Sequence, residues 1–141
     1  MAQDGGLARF QARMKALPEA VREAVKPALV KGAEEIAALQ RSAAEASRDT
    51  GDLIDSIAVT GPGGTTPPYS QPGGSKTVGE LEAVVTAGNS KVRYAHLVEH
   101  GTKKAEAQPF FWPGFRLGRK RATARIKRAI SKAVKDSRGP A

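Results

Sequence analysis

The sequence predicts one α+β domain over residues 1–141. Three observations carry that reading: an Ala/Glu/Lys/Leu-rich stretch before residue 47, two short β-branched runs divided by a Gly/Pro-rich segment, and a basic C-terminal stretch with helical apolar spacing. A chain of 141 residues suits one domain with one modest core. Apolar residues at 40% and charged residues at 26% are ordinary for a folded soluble protein, whereas 15 glycines and nine prolines call for long irregular connections.

Helix is expected over residues 7–16 and 18–47, where Val21, Val25, Leu29, Ile36, Leu39 and Ala43 recur near three- and four-residue steps. Pro18 suits a first helical turn, but Pro27 removes a backbone donor in mid-pattern, so a kink or a break into two pieces is expected there. In Thr50-Gly51-Asp52-Leu53-Ile54-Asp55-Ser56-Ile57, Gly51 permits a sharp turn, and Thr50 and Asp52 can cap a short helical turn. Residues 57–60 alternate like a strand. Residues 81–87, β-branched and bounded by glycines, return as its antiparallel partner. Between them, residues 61–80 hold six glycines and four prolines and read as an exposed, flexible loop, either a hairpin tip or an arm that orders against a neighbouring subunit. A final helix is expected over residues 114–136, entered through Pro113. Phe115, Ala122, Ile126, Ala129, Ile130, Ala133 and Val134 form its apolar stripe, and Arg121, Arg125, Arg128 and Lys132 lie on its charged faces.

The charge of +9 is concentrated. Ten Lys/Arg fall between Arg116 and Arg138 against one acid, Asp136, and the rest of the chain balances 13 basic with 13 acidic residues. An electrostatic partner would therefore meet the C-terminal segment first. The absence of cysteine excludes disulfides and thiolate metal sites. With no secretory apolar region and no run of about 18 apolar residues, the expectation is an intracellular protein with no membrane partner.

Residues 94–102, "YAHLVEHGT", contain His96-Leu-Val-Glu99-His100, which fits the H-x-x-E-H pattern of inverted zinc proteases. Two histidines four apart share a helical face, but a zinc site also needs a continuing helix and a third ligand. Gly101 stops the helix at once, and the downstream acids are only Glu106 and Asp136. The pattern thus points to a structural stretch, with His96 at the surface and His100 packing beside the turn. Further on, residues 105–115, "AEAQPFFWPGF", bring four of the seven aromatics within six positions, stiffened by Pro109 and Pro113. They read as a plug closing a small core. Base stacking would want them spread over a strand face beside basic residues. No nucleophile set, phosphate loop or paired acid site is present, so neither an enzyme nor a cofactor is expected.

Three motifs in order carry a resemblance: Thr50-Gly51-x-Leu53-x-x-Ser56-Ile57, then Tyr94-Ala95-x-x-Val98-Glu99-x-Gly101-Thr102, then Gln108-Pro109-Phe110-x-x-Pro113, followed by a charged amphipathic helix. Over about residues 20–137 the chain resembles the gene-product-ten-like head-tail joining or tail-completion proteins of tailed bacteriophages. The resemblance implies a small α+β subunit of a phage or prophage, made in the host cytoplasm and placed in the virion neck. It implies a homo-oligomeric ring, hexameric in the virion, between connector or stopper proteins and the tail tube, with the genome passing nearby. His100 stands where an aromatic is common, and the Gly/Pro-rich loop is long. A family signature lacking the two histidines makes the H-x-x-E-H match a coincidence. The alternative function is a basic nucleic-acid-binding module using Arg121, Arg125, Arg128 and Lys132.

Overall fold

The computed structural model describes Arg9 and residues 18–45, 51–103 and 107–137. Apart from Arg9, the helix expected at residues 7–16 lies outside the described residues, as do residues 46 and 47 and the motif residue Thr50. The elements are α1 (Glu19–Ala44), α2 (Asp52–Asp55), β1 (Ala58–Thr60), β2 (Val84–Thr86), α3 (Ala95–His100) and α4 (Phe111–Ser137). The chain is α+β, with a long helix near each end and a two-stranded antiparallel sheet between them.

Helix α1 begins where Pro18 accepts hydrogen bonds from the N–H groups of Val21 and Arg22. Its buried residues Val21, Val25, Ala33, Ile36, Ala37, Gln40 and Ala44 follow three- and four-residue steps. The break expected at Pro27 is absent, and α1 runs through that residue as one helix. Proline deprives the Glu23 carbonyl of its donor, but Glu23 and Pro27 are both exposed, so water can serve that carbonyl. The turns on either side stay fixed because Val21, Val25 and Leu29 pack with Ala133, Ile130 and Val134 of α4.

The two long helices cross closely through small residues. A Cβ added to Gly114 would stand 2.5 Å from Gln40 Cγ and 2.7 Å from Gln40 Cα. At Gly118 it would stand 2.9 Å from Leu39 Cδ1, and at Gly32 it would stand 3.3 Å from Ala122 Cβ. Gly114, Gly118 and Ala122 climb α4 in four-residue steps as Gln40, Ile36 and Gly32 descend α1, so the helices run antiparallel with four-residue ridges interlocked.

The sheet pairs Ala58 with Thr86, Val59 with Val85 and Thr60 with Val84. Both strands are shorter than the runs that predicted them. Residues 61–80 carry hydrogen bonds of their own: Thr65 bridges Thr77, Gln71 bridges Ala87, and the Thr66 hydroxyl accepts from the Lys76 N–H at 2.7 Å. Thr66, Ser70 and Val78 are buried. The main core gathers Ala37 and Ala44 of α1, Leu53, Ile57, Ala87, Val92 and Ala95, and the paired rings of Phe110 and Phe111.

Candidate assembly site

Gly51 precedes α2 with φ 89°, a left-handed conformation that a side chain would strain. The turn it makes delivers Leu53 and Ile57 to the core at 7% and 2% exposure. Ser56 sits between them and is buried. Its hydroxyl donates to the Leu53 carbonyl at 2.6 Å and accepts the Gly88 N–H at 2.9 Å, tying the end of α2 to the exit of β2.

The second motif forms α3 and its exit. Tyr94 precedes the helix and is exposed, Ala95 is buried, and Gly101 ends the helix with φ 78° while its N–H reaches the Leu97 carbonyl. Glu99 is buried, and its carboxylate accepts the backbone N–H groups of Phe110 at 2.9 Å, Phe111 at 2.8 Å and Trp112 at 3.2 Å. These N–H groups begin α4, where a helix lacks internal acceptors and its dipole favours an anion. Glu99 is thus the cap of α4, supplied from eleven or more residues upstream. The Gln108 N–H donates to the Val98 carbonyl at 2.8 Å and holds the returning chain. Gln108, Pro109 and Thr102 are exposed, and Pro113 is half-buried in the first turn of α4.

The aromatic run divides. Phe110 and Phe111 are buried edge to face at 6.3 Å, whereas Trp112 stays 41% exposed. His100 is exposed, and Glu99, the acid of the H-x-x-E-H pattern, is engaged by the three N–H groups. Among the described residues no group of three His, Cys, Asp or Glu could hold a metal ion.

Five of the motif residues are brought to one place. Leu53, Ile57 and Phe110 share the core, and Ser56 and Glu99 staple the backbone around it. The basic residues lie elsewhere. Arg121, Arg128 and Lys132 are exposed on α4 with Arg116, Arg119, Lys120, Lys127 and Lys135. Arg125 is half-buried and pairs with Glu35 of α1.

Sequence reasoning missed Gln40 and Arg41. The Gln40 amide donates to the Phe111 carbonyl at 2.9 Å, and Arg41 donates to the Ile57 carbonyl at 2.7 Å. Glycines four apart in a helix-forming segment were the available signal for the close crossing beside Gln40. Between α1, β2 and α4 an apolar groove of about 430 Å³ lies open. No helix among the described residues is long and apolar enough to cross a membrane.

Compared with known proteins, residues 8–101 match the family model described as "Bacteriophage HK97-gp10, putative tail-component". The match takes in the first motif and the second as far as Gly101, so Thr102, the Gln108–Pro113 motif and α4 lie beyond it. No curated protein and no solved structure matches the chain.

Proposed function

From the premise that the chain belongs to the HK97-gp10-like family of bacteriophage tail components, we propose that it is a structural subunit of the neck. In this reading, copies form a hexameric ring that completes the tail and joins it to the head connector. The observation that supports it is the division of labour within the chain. The motif residues Leu53, Ser56, Ile57, Glu99 and Phe110 are spent on the interior, while the outward side of α4 presents cations with Asp136 as the only acid of that helix. A buried staple and a charged outer helix suit a subunit that must hold its shape and meet partners by surface charge.

Successive subunits of a ring present different surfaces to one another and must close by rotation. Cryo-electron microscopy of the intact particle tests the reading. Six copies encircling the head-tail junction are expected; a single copy or none at that level removes the proposal.

One observation favours a second reading. The exposed cations of α4 also suit nucleic-acid phosphates, which would make the chain a basic nucleic-acid-binding module. The salt dependence of DNA binding separates the two.

A further inference from the structure

Helices α1 and α4 each carry charge on the side turned away from the other. Gly32 and Ile36 of α1 face Ala122 and Gly118 of α4. Glu34 is two residues from both Gly32 and Ile36, about 200° around the helix, and it is exposed. Glu23 stands in the same relation to Val21 and Val25, which pack with Ala133. On α4, Arg116 is two residues from Gly114 and Gly118, and Lys120 is two residues from Gly118 and Ala122; both are exposed. The helix pair is therefore acidic on the outer side of α1 and basic on the outer side of α4.

Among the described residues none of Glu34, Arg116 and Lys120 has an ion-pair partner. One chain cannot join its own two sides, because the thickness of two helices, about 20 Å, stands between them. A second copy has no such barrier.

We infer that Lys120 of one copy pairs with Glu34 of the next, α4 of each copy lying along the outer side of its neighbour's α1. The inference rests on the ring proposed above. Its register follows from the crossing within one chain. Gly118 meets Ile36 and Ala122 approaches Gly32, so Lys120 and Glu34, each midway between those contacts, stand at one height. Rotation about an axis along the helix pair changes no height, so each step of the ring brings Lys120 level with Glu34 of the neighbouring copy. Pro27 and Ala38, also exposed on that side of α1, are small enough to let a helix lie close. Lys31, exposed three residues before Glu34, is level with the uncharged Thr123. Glu23 already holds Lys26 of its own chain at 2.6 Å, which leaves Glu34 as the open acceptor. An exposed pair adds little affinity by itself; its effect is on orientation and register, repeated at every interface.

The lack of cysteine makes the contact testable by cross-linking. Particles are assembled with a full-length chain carrying Glu34→Cys and Lys120→Cys and are then oxidised. The two sites are too far apart within one chain for a disulfide, so each bridge joins two copies, and a reducible ladder of linked chains is expected. Glu23→Cys with Lys120→Cys, about 16 Å off that level, should give no ladder. A parallel experiment reverses the charges: Lys120→Glu should lower head-tail joining about tenfold, and adding Glu34→Lys should restore it. A ladder no stronger than the control's, or a loss that Glu34→Lys does not relieve, overturns the inference. Six-copy rings in particles that yield no ladder remove the contact and leave the ring standing, whereas particles without the ring remove both.

Discussion

The carboxylate of Glu99 holds the backbone N–H of Phe111 at 2.8 Å. Through this bond and its two neighbours, the short helix α3 fixes where the 27-residue helix α4 begins. The aromatic plug and the α1–α4 crossing both depend on that starting point, because Phe111 belongs to the core and Gly114, three residues on, meets Gln40.

Glu99→Ala should therefore lower stability by about 2–3 kcal/mol, since three charge-assisted bonds are lost at a buried site. Glu99→Gln keeps an acceptor but not the charge and should cost about half as much. Urea denaturation of the two variants checks the order. Equal stability of Glu99→Ala and the parent would show that the cap contributes nothing.

Gly114→Ala sets helix propensity against packing. Alanine gains about 1 kcal/mol over glycine inside a helix, but its Cβ would stand 2.7 Å from the Cα of Gln40, a backbone atom that cannot swing away. Overpacking of that kind costs about 1–3 kcal/mol, so a lower melting temperature is expected. Gly32→Ala meets only the Ala122 Cβ at 3.3 Å and should be nearly neutral. A thermal melt in which Gly114→Ala is the more stable of the two would contradict the close crossing.

These sites show what the sequence disclosed and what it hid. The α1 pattern and the antiparallel return of β2 were legible, because burial on one face imposes a period that survives in a single chain. The continuity of α1 through Pro27 was not, since tertiary contacts at Val25 and Leu29 outweigh one missing hydrogen bond. Glu99 was legible as a motif residue, but its role was not. Local rules place a cap just before the helix it serves, whereas this one arrives from another helix. The aromatic run read as a single plug, yet Trp112 points outward; spacing alone does not say which of three consecutive rings turns to solvent. Arg125 looked like its basic neighbours, and only the approach of α1 gives it Glu35.

Arg125 and Glu35 should couple weakly. Their side chains are 32% and 28% exposed, and partly solvated pairs contribute about 1 kcal/mol or less. A double-mutant cycle with Arg125→Gln and Glu35→Gln should give a coupling of that size, shrinking with added salt. Arg128→Gln, on the open face, should leave stability within about 0.5 kcal/mol of the parent. A coupling indistinguishable from zero at low salt would remove the pair as a link between the helices.

The protein should hold no stoichiometric zinc and show no peptidase activity. The Glu99 carboxylate that a metalloprotease would use as general base is closed off by three backbone N–H groups. Elemental analysis of protein purified without chelator checks this. One zinc per chain, lost in His96→Ala, would reverse the conclusion.

The last prediction separates the functions of the two sides of α4. Ala122 is 4% exposed against Gly32, so Ala122→Asp should destabilise the helix pair, because a carboxylate pressed into this apolar crossing has no partner there. Arg121, Arg128 and Lys132 are exposed, so converting all three to Gln should leave the urea midpoint nearly unchanged. Arg125 is kept in this variant because it pairs with Glu35. In the assembly reading, the triple variant joins heads to tails poorly, since surface charges govern encounter and register between protein rings. In the nucleic-acid reading, the parent binds duplex DNA with a log-log salt slope of about −0.9 per phosphate contacted, and the triple variant flattens that slope by up to about three contacts. Joining assays and DNA titrations at several salt concentrations, run on the same protein preparations, give opposite results for the two. Impaired joining with weak DNA binding that responds little to the substitutions is expected. Normal joining together with tight, salt-steep DNA binding would refute the assembly role of this face and assign it to the genome.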